Sequence, residues 1–180
     1  MYRNIYSHKY LPEKKLILKT KMYNHKHIYT NYHIMTRLTV SVIVDAPIET
    51  VWDAMWNPIH IVGWAFADEA TWHCPWAKWE SPTVGGIFTT RMEARDGSFG
   101  FDLTAQYTEV TPLRSMSYTL GEMKEYFLDA GRVVDITFEE TPEWIKITET
   151  FDAEDIHSTE MQIAGWQSIL NNFKKYTETL

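Results

Sequence analysis

A thiol beside an imidazole is a common signature of a nucleophile, and His73-Cys74 is such a pair. On a strand, adjacent residues point to opposite faces, so no dyad is expected from them. Cys74-Pro75 matches a thiolate haem ligand in two residues only, which carries no weight. His60, His73 and His157 are scattered, with none of the paired spacing of a zinc site. Gly85-Gly86 lacks the pattern that cradles a phosphate and reads as a bend leading into a strand. No catalytic set, metal or cofactor is therefore expected. Arg91 and Glu93 share one strand face. With Phe88 and Met92 packed inward, that face is solvated, as is Asp102, and its charges would serve a partner and not a ligand.

The groups left to handle a small molecule are mainly apolar. The chain has eight Trp, and Trp52, Trp56, Trp64, Trp72, Trp76 and Trp79 crowd one window. Each buried ring removes about 150–250 Å² from water. The window reads either as plain core or as the wall of an apolar pocket, and the two overlap. Acid–base side chains that could reach such a pocket are few: Tyr107, Arg132, Glu149 and His73.

These residues need elements to position them. Met161, Ile163, Trp166, Ile169, Leu170, Phe173 and Tyr176 recur at the three-and-four spacing of one helix face, so 158–180 reads as a long amphipathic helix. It follows about sixty residues of strand pattern. A broad apolar stripe must be buried, and a sheet is the large partner at hand. Gly165 would let this helix approach the sheet closely, so Gly165→Leu would distort the packing. Upstream, 38–45 is a strand. Pro47 suits a first helical turn near a cap at Asp45 or Ala46, and Val51, Trp52, Met55 and Trp56 give that helix an apolar side. Asn57-Pro58 breaks it, and a second short helix runs to about Trp64. Residues 68–83 are irregular, with one short strand near 70–74. Strands follow at 87–94, 99–109 (after an Asp96-Gly97 turn), 114–120, 131–139 and 143–151. The fold class is α+β with an antiparallel sheet of about six to seven strands.

The last hairpin can be registered by pattern. Val134, Ile136 and Phe138 share one face, as do Ile145, Ile147 and Phe151. A turn at Glu140-Thr-Pro-Glu143 sets Phe138 against Ile145, Ile136 against Ile147 and Val134 against Glu149. Arg132 is then diagonal to Glu149, as a structural ion pair or as a polar anchor for a ligand head group.

Charge divides the chain. In residues 1–35, Arg3, Lys9, Lys14, Lys15, Lys19, Lys21 and Lys26 stand against Glu13 alone, whereas the whole chain has a net charge of −7. The acidity belongs to 36–180, which argues against nucleic acid as a partner. The basic stretch reads as a disordered N-terminal extension. It is a basic arm, a targeting presequence, or a segment foreign to the natural protein; the clean strand just after Met35 favours the third. The single cysteine fits a reducing cytoplasm. No apolar run is long enough to span a bilayer.

Several stretches act together as an ordered set: Trp52-Asp-Ala-Met-Trp-Asn-Pro58, Trp72-His-Cys-Pro75, Val84-Gly-Gly86, Arg91-Met-Glu-Ala-Arg-Asp-Gly-Ser98, Gly100-Phe-Asp102, Glu149-Thr-Phe151 and Glu160-Met-Gln-Ile-Ala-Gly-Trp166. Over 36–180 this set resembles the activator of heat shock protein 90 ATPase homologue-like family, of the START-like (SRPBCC) helix-grip superfamily. The resemblance implies a helix-grip domain: a curved antiparallel sheet around the C-terminal helix, with a hydrophobic cavity. It implies three functions: binding of an apolar small molecule without catalysis, stimulation of a chaperone ATPase through a protein interface, or polyketide cyclase-like chemistry. The first is the reading adopted. Its wall would be Trp52, Trp56, Trp64, Trp72, Met161 and Trp166, with His73, Tyr107, Arg132 and Glu149 as polar contacts. A chaperone remains a possible partner. The co-chaperone that names the family carries a further N-terminal domain, which residues 1–35 are too short to supply.

Overall fold

The computed structural model describes residues 16–20, 30–34, 36–79, 82–122 and 130–180. The chain divides into two units, Met1–Arg37 and Leu38–Leu180. In the first, β1 (Leu16–Thr20) and β2 (Thr30–Ile34) pair antiparallel, Leu16 opposite Ile34 and Thr20 opposite Thr30. Two short strands thus stand within a segment read as disordered. The rest of that segment, and the expectation attached to it, lies outside the described residues.

The second unit is a sheet closed over a helix. Its elements are β3 (Arg37–Val44), α1 (Ile48–Trp56), α2 (Pro58–Ile61), β4 (Trp72–His73), β5 (Ala77–Trp79), β6 (Ile87–Ala94), β7 (Gly100–Thr111), β8 (Ser115–Leu120), β9 (Val133–Glu140), β10 (Ile145–Asp152) and α3 (Thr159–Thr177). The eight strands run β3-β10-β9-β8-β7-β6-β4, with β5 also paired to β6. This is the helix-grip architecture, with two short helices after the first strand of the sheet. The sheet has eight strands because β5 joins it, a three-residue strand hidden between Pro75 and the irregular stretch after it.

Alternation builds the concave face. Leu38, Val40, Val42 and Val44 are buried on β3 while Thr39, Ser41 and Ile43 are not. On β10, Ile145, Ile147, Glu149 and Phe151 point inward, and on β9 Val134, Ile136 and Phe138 do so. β6 and β7 meet through the Asp96-Gly97 turn, where Gly97 takes φ +71° and Asp96 accepts from Ser98 N at 2.9 Å. The register between β7 and β8 shifts between Tyr107 and Glu109, a bulge that bends the sheet.

The β9–β10 register differs from the expected one by two residues. Ile147 faces Phe138, Glu149 faces Ile136 and Phe151 faces Val134. The reason is the turn. Thr141 and Trp144 close it, with Thr141 N donating to Trp144 O at 3.0 Å and Trp144 N to Thr141 Oγ1 at 3.1 Å. Glu140 therefore still pairs with Ile145. A slip of two keeps every side chain on its face but separates Arg132 from Glu149. Arg132 lies four residues along from the partner of Glu149, about 13 Å at strand rise.

The helices are anchored by short devices. Pro47 itself is the cap position of α1, one or two residues later than expected, and Asn57 caps α2 by accepting from Ile59 N at 3.1 Å. α2 ends at Ile61, short of Trp64. Ser158 caps α3. On α3 the inward set is Gln162, Trp166, Ile169, Leu170, Phe173 and Thr177, with Gln162, Leu170, Phe173 and Thr177 buried. Met161 is 62 % exposed and Ile163 38 %. They flank Gln162, which is buried, and so lie about 100° to either side of the inward stripe.

Candidate functional site

A cavity of about 450 Å³ opens between α3, the concave face of β6–β10 and the ends of α1 and α2. That volume is within the roughly 300–1,000 Å³ of small-molecule sites. Its wall is mainly apolar, with aromatic rings from several elements. Trp64 donates Nε1–H to Ala54 O at 3.0 Å and meets Phe173 edge-on, centroids 5.0 Å apart. Trp166 stacks on Phe151 at 4.1 Å. Phe88, Tyr107 and Tyr118 form a triangle, Phe88 lying 5.1 Å from each tyrosine ring. Trp72 meets Phe101 at 6.2 Å at one end.

Of the residues read from sequence, Trp64, Trp72, Tyr107, Arg132, Glu149, Met161 and Trp166 line the cavity. Trp52, Trp56 and His73 do not. Trp52 packs edge-on against Phe138 (5.3 Å), and Trp56 against Trp79 (5.4 Å). Both sit on α1, which turns them toward the sheet end and β5. His73 is opposite Glu93 in the β4–β6 ladder. Cys74 is buried, its thiol donates to Trp76 O at 3.3 Å, and burial pushes its pKa up to about 11. It is no nucleophile in this state. Arg91 reaches Asp102 at 3.2 Å and Glu93 at 3.5 Å on the outer face.

Gly165 also differs from its expected role. A Cβ built there meets no atom within 4 Å. The glycine borders the cavity and does not mediate a close approach. Residues missed by sequence reasoning are Tyr118, Thr90, Glu154, His157 and Gln162. Tyr118 had a signal: it alternates with buried Met116 and Leu120, and so had to point inward.

The polar groups fall into two kinds. At the rim, Glu154 accepts from the N–H of Ile156 and of His157 and lies 2.6 Å from His157 Nδ1. Desolvation acts to raise the Glu154 pKa, but these hydrogen bonds outweigh it and hold the carboxyl below its usual range. Gln162 closes the loop, donating to Glu154 O at 3.0 Å and His157 O at 2.9 Å while accepting from Glu154 N. These side chains are spent on the loop.

Deeper in, they are not. Glu149 is 6 % exposed, and burial pushes its pKa up to about 8. No ion pair joins it to Arg132 among the described residues. Tyr107 and Tyr118 are pushed up, mainly by burial, and Tyr118 further by Glu149. Arg132, 8 % exposed, has a buried Nε without a hydrogen-bond partner, and burial lowers its pKa although Glu154 and Asp152 oppose this. Among the described residues no three His, Cys, Asp or Glu side chains cluster as a metal site, and no helix is long and apolar enough to cross a membrane.

Comparison with known proteins places this geometry. The family model described as Activator of Hsp90 ATPase homolog 1-like protein matches residues 45–178. An AHSA1-like protein from Aeromonas hydrophila superposes with a TM-score of 0.67 at 38 % identity, covering 79 % of this chain and 93 % of its own. A protein from Cytophaga hutchinsonii does so at 0.64 and 41 %, covering 79 % and 92 %. A protein from Chromobacterium violaceum, 19 % identical with a TM-score of 0.69 over 79 % and 96 %, shares the fold. No curated protein matches the sequence.

Proposed function

The chain belongs to the Activator of Hsp90 ATPase homolog 1-like protein family, and from that premise we propose that it is a non-enzymatic binding protein for a small apolar molecule held between α3 and the sheet. The observation that carries this is the cavity itself: about 450 Å³, walled largely by Trp, Tyr, Phe and Met, and bordered on one side by α3. A wall of that kind removes apolar surface of a ligand from water at about 25 cal/mol per Å². Trp64, Trp72, Met161 and Trp166 are the apolar contacts, with Tyr107, Arg132 and Glu149 as the polar ones. The single cysteine suits the cytoplasm as the place of action. A chaperone-stimulating role is suggested by the family's name alone.

Native mass spectrometry of the full chain as purified tests the reading. We expect a reproducible extra mass that is lost on denaturation. Gly165→Leu places a side chain in open cavity space, so it should abolish that mass without lowering the melting temperature. A bare mass, together with no saturable binding of apolar fluorophores, would sink the reading.

A further inference from the structure

The unspent polar groups of the cavity are rich in donors. Arg132 has donors only, and the phenols of Tyr107 and Tyr118 each carry one O–H. Neither phenol has a hydrogen bond to another described residue, and both line the cavity, as does the carboxyl of Glu149, which is likewise without a partner there. At the rim the acceptor oxygens of Gln162 and Glu154 are already occupied, which leaves the hydroxyl of Thr90, the phenols and the Glu149 carboxyl, groups that can donate when protonated. A buried polar group without a partner is costly, and two phenols, a carboxyl and the Nε of Arg132 around one space point to what fills it. The filling molecule must bring acceptors.

Resting on the binding reading above, we propose that the floor of the cavity is a carbonyl subsite: an uncharged apolar ketone or ester seats its carbonyl oxygen between the carboxyl of Glu149 and the phenol of Tyr118. Glu149 stands on the inward face of β10 opposite Ile136, and Ile136 faces Met116 on β8, two residues from Tyr118. The two groups therefore converge from strands on either side of β9. Tyr107 stands next to Tyr118 in the β7–β8 ladder, rings 6.3 Å apart, and forms the back of the subsite. An apolar surround keeps a carboxyl neutral and so able to donate, consistent with a Glu149 pKa of about 8. A ligand carboxylate fits less well. Asp152 and Glu154 already offset the charge of Arg132, so an anion beside the neutral Glu149 would be desolvated without a counterion of its own.

The titratable groups that face Glu149 across the cavity are Tyr118 on β8, Tyr107 on β7, Arg132 before β9, and Glu154 and His157 on the loop into α3. Among the described residues, α1, α2, β6 and α3 contribute none to the lining.

The test uses the full chain and two fluorescent probes: the naphthyl ketone prodan, and the same skeleton with a methylene in place of the carbonyl. We expect prodan to bind about tenfold more tightly than the methylene analogue, the effect of one to two net hydrogen bonds. Its bound emission should lie to the red of that in an aprotic solvent. Tyr118→Phe should weaken prodan about three- to tenfold and leave the analogue unchanged. Prodan affinity should fall as pH rises from 7 to 9 in the wild type and stay flat in Glu149→Gln, which separates Glu149 from His157 and Arg132. Equal binding of the two probes, or blue emission unaffected by Tyr118→Phe, would overturn the subsite while leaving the cavity reading in place. Binding of neither probe would overturn both. Should Tyr118→Phe not fold, the probe ratio and the wild-type pH profile decide alone.

Discussion

Two polar groupings flank α3, and they are built on opposite principles. Beside its C-terminal half, Asp53, His60 and Tyr176 form a chain. His60 Nδ1 lies 3.0 Å from Tyr176 Oη and Nε2 lies 3.1 Å from Asp53 Oδ2, while Asn57 donates to Asp53 at 3.1 Å. Every member has a partner, and the chain ties α1 and α2 to α3. Beside the N-terminal half, Glu149, Tyr107, Tyr118 and the Nε of Arg132 face the cavity with no hydrogen bond to another described residue. The first grouping belongs to the fold. The second is a cost that folding alone does not offset, which is why the ligand is sought there and not at the His60 chain, although only the latter has the look of an acid–base relay.

The comparison breaks most visibly with pH. The Glu149 pKa is raised from 4.5 to about 8. Between those values the unfolded chain has released a proton that the folded chain keeps, so stability falls with rising pH. The stabilisation is complete below pH 4.5 and gone above about 8. The slope is at most about 1.4 kcal/mol per pH unit. Urea unfolding of wild type against Glu149→Gln should show this difference, and parallel pH profiles would mean that Glu149 is solvated. On the spent side, Asp53→Ala removes the acceptor of both His60 and Asn57 and should cost about 1–2 kcal/mol. A neutral outcome would remove the distinction between the two groupings. Tyr176→Phe, which deletes a single hydroxyl from the chain, should cost about 1 kcal/mol in the same assay. Asp102→Asn, on the outer face, should cost under about 0.5 kcal/mol and lose even that in salt. A larger loss would mean that the outer face is more than a solvated ladder.

Period and punctuation carried the fold. Strand alternation gave β3, β9 and β10, the Asp96-Gly97 turn gave the β6–β7 hairpin, and the three-and-four spacing gave α3. What failed was local geometry that no period encodes. The Thr141–Trp144 turn moved the hairpin by two residues and so dissolved an expected ion pair, because parity fixes a face but not a partner. β5 is too short to show alternation. Met161 and Ile163 fit the spacing but are exposed, because each lies about 100° around the helix from buried Gln162, at an edge of the stripe. The same limit explains the site. Trp64, Trp72 and Trp166 could be placed in the wall, whereas Trp52 and Trp56 share one turn of α1 and were drawn off to Phe138 and Trp79.

Cys74 gives the molecule an internal clock. It is the sole thiol of the chain, its hydrogen is engaged by Trp76 O, and it sits one residue beyond the strand that carries Trp72. A thiol so protected reacts only when the β4–β5 corner opens, so its alkylation rate counts opening events. Whatever occupies the cavity against Trp72 should lengthen the interval between them, and the occupied and empty protein would then be told apart by time alone.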